Sequence, residues 1–136
     1  MYSIGDLSRR TGVKIPTIRY YEHMGLIDAP ERSQGNQRRY SQAGLKRLSF
    51  IRHSRDLGFA IEDIRELLTL SQRPERPCDN AHDIAARHHR LIKAKIKKLK
   101  RLETELGRLS ACSAGSIADC AVIETLADHA HCEAEH

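Results

Sequence analysis

Four cysteines carry the sharpest chemistry in this sequence: Cys78, Cys112, Cys120 and Cys132. Cys112 and Cys120 flank Ser113-Ala114-Gly115-Ser116-Ile117-Ala118-Asp119, a short Gly- and Ser-containing segment, so two thiolates on one tight loop can converge on a soft ion. Cys132 falls in a terminal run with His129, His131 and His136, which reads either as further metal ligands or as a solvated tail. No apolar run approaches the ~20 residues needed to cross a bilayer, and the N-terminus has no apolar signal-peptide core. The expected compartment is the cytoplasm, where thiols stay reduced, so metal or redox chemistry outranks structural disulfides for these cysteines.

The elements that must position these groups follow from local signals. Ser3-Ile4-Gly5-Asp6 predicts a capping box opening a short helix through Arg10, and Thr11-Gly12-Val13 a tight turn. A second helix is predicted from about Ile15 to Met24, with Pro16 in its first turn and Gly25 closing it. Together they make a helix-turn-helix. From Asp28 to Tyr40 the turn formers Pro30, Ser33, Gly35 and Asn36, with Arg32, Arg38 and Arg39 around them, predict a short, positively charged hairpin wing. Ser41 caps a third helix whose apolar positions Leu45, Leu48, Ile51 and Leu57 lead to a stop at Gly58, and Ile61, Ile64, Leu67 and Leu68 mark one face of a fourth.

Ser71 to Pro77 contains two prolines and reads as a linker. A long helix is then predicted from Asp79 or Asn80 to Leu109, its Ile92, Ile96, Leu99, Leu102, Leu106 and Leu109 spaced close to a coiled-coil seam. So narrow a stripe amid so many Lys and Arg requires a partner helix, and self-pairing is the simplest. The basic run Lys93 to Arg101 reads as the solvated face of this helix, and His88 and His89 as packing or surface positions rather than ligands. At ~1.5 Å per residue, a helical stretch from Cys78 to Cys112 separates them by about 50 Å in one chain, against a metal–sulfur bond of ~2.3 Å. They can share an ion only if two chains pair antiparallel.

Ile18-Arg19-Tyr20-Tyr21-Glu22, then Gly25-Leu26-Ile27 and Gly35-Asn36-Gln37-Arg38-Arg39-Tyr40, closely resemble the winged helix-turn-helix of the MerR family of bacterial transcriptional regulators. The likeness runs on through Phe50-Ile51-Arg52, Leu57-Gly58-Phe59 and Ile64-Arg65-Glu66-Leu67-Leu68 into the long helix and the cysteine loop, essentially the whole chain. A recognition helix would place Lys14, Thr17 and Arg19 against a groove of double-stranded DNA, while Arg and Tyr side chains fix the phosphate backbone. The resemblance implies Arg19 and Tyr20 as contacts from the helix and Arg38 and Tyr40 from the wing; Tyr21 reads equally as core. Lys14 departs from the Ser or Thr that often caps this helix in the family.

The resemblance also implies a homodimer that holds promoter DNA and, on binding metal, distorts it so that RNA polymerase can use a poorly spaced promoter. Copper(I) sensors of the family use only the two loop cysteines, so a copper(I)-responsive regulator using Cys112 and Cys120 alone is the alternative the resemblance offers. A thiol at Cys78 resembles instead the zinc, cadmium, lead and mercury(II) sensors, with Cys78, Cys112 and Cys120 as ligands and His129, His131 or Cys132 as a fourth ligand or second site. The expected fold is mainly α. Residues 1–70 form the winged helix-turn-helix, 71–78 the linker, 79–110 an antiparallel coiled-coil dimerisation helix, and 111–136 a metal-binding loop, short helix and tail.

Composition agrees with a DNA-binding role and argues against most others. With 136 residues, 40% hydrophobic and 30% charged, the chain has room for one small aliphatic core, and its net charge of +5 suits a polyanion. No nucleophile–base pair, Gly-rich phosphate loop or catalytic metal motif points to an enzyme. An iron–sulfur redox sensor needs four crowded cysteines, a drug sensor a larger C-terminal domain, and a metal-buffering protein leaves the DNA-binding motifs unexplained.

Overall fold

The computed structural model describes residues 1–32, 35, 38–111 and 115–128. Helix α1 (Ile4–Thr11) opens on the predicted reciprocal cap: Ser3 Oγ accepts from the Asp6 amide at 3.1 Å, and Asp6 Oδ2 accepts from the Ser3 amide at 3.3 Å. Those bonds from Ser3, with Arg9 nearby, hold the Asp6 carboxyl below the usual carboxylate range. A depressed folded pKa stabilises fully above the pKa of an unfolded Asp, and that contribution is lost as pH falls through the folded value. Asp6→Ala should therefore melt below the parent at neutral pH, with the two midpoints converging on acidification. A gap that widened toward low pH would contradict the cap.

Gly12, at φ 76°, ends α1 in the left-handed region, where its amide bonds Ser8 O. Thr11 Oγ1 stiffens the turn, donating to Leu7 O at 2.7 Å and accepting from the Val13 amide at 3.2 Å. Helix α2 (Ile15–His23) follows with Pro16 in its first turn; Lys14 is its N-cap and supplies no side-chain bond, in keeping with its lack of a hydroxyl. Helices α3 (Gln42–Asp56), capped by Ser41 through the Gly44 amide at 3.1 Å, and α4 (Ile61–Ser71) pack behind them. Leu7, Ile18, Leu26, Leu48, Ile51 and Ile64 are fully buried, so every one of these four helices contributes to one core. Leu57 is not part of it: it is the C-cap of α3 and 68% exposed, because the helical spacing that counted it runs out where Gly58 turns the chain at φ 86°.

The hairpin wing expected over residues 28–40 is corrected. Strand pairing there is confined to β1 (Glu31–Arg32) and β2 (Arg38–Arg39), two residues each, in the register Glu31↔Arg39 and Arg32↔Arg38. Strands are usually three or more residues long, and an isolated two-stranded pair is marginal in water. The segment's turn formers and charged residues offer no apolar face that would extend it. The fold is mainly α, a helix-turn-helix followed by a long helix, without a β-wing as an element in its own right among the described residues. Beyond β2, a single bridge joins the segment to the chain's start, with Tyr2 and Tyr40 exchanging amide–carbonyl bonds of 2.8 and 2.7 Å.

Contacts divide the chain into two units, Met1–His82 and Asp83–His136. Helix α5 (Asp79–Ser110) is 32 residues long, starting two residues past Pro77. Ile84 and Leu109 are buried, Ile92 and Leu102 half-buried, and Ile96, Leu99 and Leu106 exposed at 46%, 63% and 63%. A 3-10 turn (Ile117–Asp119) and the short helix α6 (Ala121–Ala127) complete the second unit's described part. No helix among the described residues is long and apolar enough to cross a membrane.

Candidate nucleic-acid interface and cysteine centre

Helix α2 has one face in the core and one in solvent. Ile18 and Tyr21 are buried, which fixes the helix's rotation; Lys14, Arg19 and Tyr20 are exposed and Thr17 half-buried. The neighbouring tyrosines thus separate, Tyr21 to the core and Tyr20 outward at 54% exposure, their rings tilted 48° with centroids 6.1 Å apart. This outer face offers cations, hydroxyls and an aromatic ring on one rigid helix, donors suited to phosphate oxygens and base edges.

Of the two contacts expected in this segment, Tyr40 is placed differently. Tyr40 is core, 3% exposed, and its hydroxyl donates to Glu22 Oε1, so its ring lies inside rather than on the surface. Burial follows from the bridge to Tyr2, a pairing 38 residues away in the chain that local sequence does not signal. Arg38 belongs to β2, and its neighbour Arg39 is half-buried.

Sequence reasoning missed three guanidinium groups behind α2. Arg52 Nη1 donates to Gly12 O at 2.6 Å, Arg65 Nη2 to Met24 O at 2.9 Å, and Arg47 Nε to Leu26 O. Two motifs of the family likeness, Phe50-Ile51-Arg52 and Ile64-Arg65-Glu66-Leu67-Leu68, contain Arg52 and Arg65, but their roles depend on contacts across 40 and 41 residues.

The cysteines divide between described and undescribed parts of the chain. Cys78 is exposed immediately before α5, its carbonyl accepting the His82 amide at 2.9 Å in the helix's first turn. Cys120 is half-buried at the N-cap of α6, where its carbonyl accepts the Glu124 amide at 3.1 Å. Cys112, His129, His131 and Cys132 lie outside the described residues. Among the described residues no three His, Cys, Asp or Glu side chains gather as a metal site. His88 is half-buried and His89 exposed on α5.

Residues 2–70 match the family model of the MerR HTH family regulatory proteins, and residues 45–109 that of the MerR DNA-binding segment. The HTH-type transcriptional regulator ZntR of Escherichia coli K12 is 38% identical over 130 residues, covering 93% of this chain and 92% of its own. The transcription regulator of Ralstonia metallidurans CH34 solved in complex with lead(II) superposes with a TM-score of 0.78 at 36% identity, covering 93% of this chain and 99% of that one. The dual-function regulator MerR of Bacillus megaterium MB1, in complex with mercury(II), gives a TM-score of 0.68 at 35% identity over 93% and 100%. With two family models spanning both its reading head and its long helix, the chain belongs to the MerR family of transcriptional regulators, DNA-binding proteins rather than enzymes.

Proposed function

We propose that this protein is a metal-responsive regulator that holds promoter DNA as a homodimer and activates transcription by distorting that DNA when a thiophilic divalent ion binds between its chains. The observation that carries the reading is the position of exposed Cys78 directly before a 32-residue helix whose far end leads into the Cys112–Cys120 segment. Such a helix is about 48 Å long, twenty times a metal–sulfur bond, so these thiols cannot meet on one ion within a chain. Antiparallel pairing of two α5 helices brings Cys78 of one protomer to the cysteine segment of the other. The exposed Ile96, Leu99 and Leu106 supply the apolar surface for that pairing.

Three thiolates suit zinc, cadmium, lead or mercury(II), and the lead(II)- and mercury(II)-bound relatives favour this class. When bound, the ion supplies a charged crosslink between two protomers. The chain's own residues do the rest: Cys78, Cys112 and Cys120 hold it as thiolates, α5 carries the constraint, and Lys14, Thr17, Arg19 and Tyr20 on α2, with Arg38, grip each half-site. An ion can drive the change only by favouring one dimer–DNA arrangement over another.

The test is parallel footprinting and in vitro transcription during titration of the reduced protein with Zn(II), Cd(II), Pb(II) or Hg(II). Operator occupancy should persist while output rises. Release of the protein from DNA on metal addition would reject activation by distortion.

A further inference from the structure

Helix α2 is held at both ends from behind. At its start, Arg52 on α3 donates to Gly12 O in the preceding turn, while its Nε bonds both carboxylate oxygens of Asp56 at 3.1 and 3.2 Å. At its end, Arg65 on α4 donates to the carbonyl of Met24, the C-cap residue, and just beyond it Arg47 on α3 donates to Leu26 O. Lys14 supplies no side-chain cap at the helix's start, so these donations to flanking carbonyls are the side-chain bonds that hold its two ends to α3 and α4. Ile18 and Tyr21 set the helix's rotation by burial, yet a nine-residue helix anchored through two side chains on one face can still tilt about that face. Hydrogen bonds to base edges tolerate only a few tenths of an ångström around ~2.9 Å, so a small tilt is enough to break them. Phosphate contacts by long, flexible side chains are more forgiving.

We propose that Arg65, opposed by Arg52 at the other end, is a positioning residue for sequence readout: it fixes the tilt at which α2 presents Thr17, Arg19 and Tyr20 to the groove. The inference rests on α2 being the DNA-reading helix. Removing Arg65's donors should therefore cost discrimination between DNA sequences more than it costs attraction to DNA as a polyanion.

The experiment uses the full-length dimer and two duplexes: one selected by the parent protein from a random-sequence pool, and a scrambled duplex of equal length and composition. Arg65→Met keeps the apolar stem and removes the guanidinium; Arg65→Lys keeps the charge without the planar fork. Folded, dimeric Arg65→Met should lose about tenfold in its preference for the selected over the scrambled duplex. The salt dependence of scrambled binding should stay at the parent's, and Arg65→Lys should recover part of the preference. An unchanged preference in either folded variant would reduce Arg65 to a stabilising role and overturn the proposal. Should Arg65→Met fail to fold, the lysine variant alone decides it by the same criterion. A salt slope lowered by about one charge on both duplexes would make Arg65 a phosphate contact, which also overturns it. Arg19→Ala, measured alongside, separates the premise from the proposal: if it leaves selected-duplex affinity intact, α2 is not the reading helix.

Discussion

Cys112→Ser and Cys120→Ser homodimers are each expected to lose the transcriptional response to Zn(II), Cd(II), Pb(II) or Hg(II) outright, with metal affinity down by more than ~100-fold, while apo operator binding stays near the parent's. A first-sphere thiolate is worth at least as much as the outer partners whose loss costs 10–100-fold, and neither residue lies near the reading head in the chain. Cys78→Ser should be as damaging for divalent ions. Mixing Cys78→Ser with Cys112→Ser chains gives the decisive comparison. In the heterodimer, the Cys112→Ser chain supplies Cys78 to the intact Cys112 and Cys120 of the other, so one complete site returns and part of the metal binding with it. Heterodimers of verified composition that bind no better than either homodimer would reject a site shared between chains.

Leu99→Lys is expected to convert the protein to a monomer at micromolar concentration. Leu99 is 63% exposed in the single chain, between exposed Ile96 and Leu106 on the same side of α5. A lysine there costs the isolated chain little, but in a helix pair it would bury an unpartnered charge at a cost of about 4 kcal/mol, or roughly 1000-fold in dissociation constant. Sedimentation should show the loss of the dimer with the helical circular dichroism of the first unit retained. Binding to a two-half-site duplex should fall to that of a single half-site. A Leu99→Lys protein that remained dimeric would remove this face of α5 from the interface.

What could be read in advance was what local chemistry determines. The Ser3–Asp6 cap, the turn at Gly12, the Ser41 cap and the extent of α5 after Pro77 all arise from residues within a few positions of one another, and the structure has each of them. For the paired tyrosines the residue pattern says only that one can face inward; the family likeness points Tyr20 outward and leaves Tyr21 open, and the core settles it by burying Tyr21. The burial of Tyr40 depends on Tyr2, far away in the chain, and the turn formers of the β1–β2 segment announce a reversal without guaranteeing strands to either side. Arg47, Arg52 and Arg65 were invisible as a set. Each bonds a carbonyl 21 to 41 residues away, and an arginine on a helix surface looks the same in sequence whether it faces solvent, phosphate or a peptide group. The cysteine chemistry is readable as ligand types and spacing, and in the proposed site its completion lies on a second chain, which the pattern of one chain does not display.

The uneven distribution of buried apolar side chains between the two units has a thermodynamic consequence. The first unit encloses eleven of them, from Leu7 to Leu68, whereas the described part of the second buries only Ile84 and Leu109 as apolar residues and leaves Leu91, Ile96, Leu99 and Leu106 open. Order in the first unit is a property of one molecule, indifferent to how many others are present. With α5 paired as proposed, order in the second is subject to mass action: its free energy then includes the association of two chains, so its melting temperature would rise with protein concentration while the first unit's would not. A single transition temperature then has no fixed meaning for this chain. At chain concentrations below the dissociation constant of that pairing, the supply of paired chains would scale with the square of the concentration, sharpening any change in expression before an effector is bound.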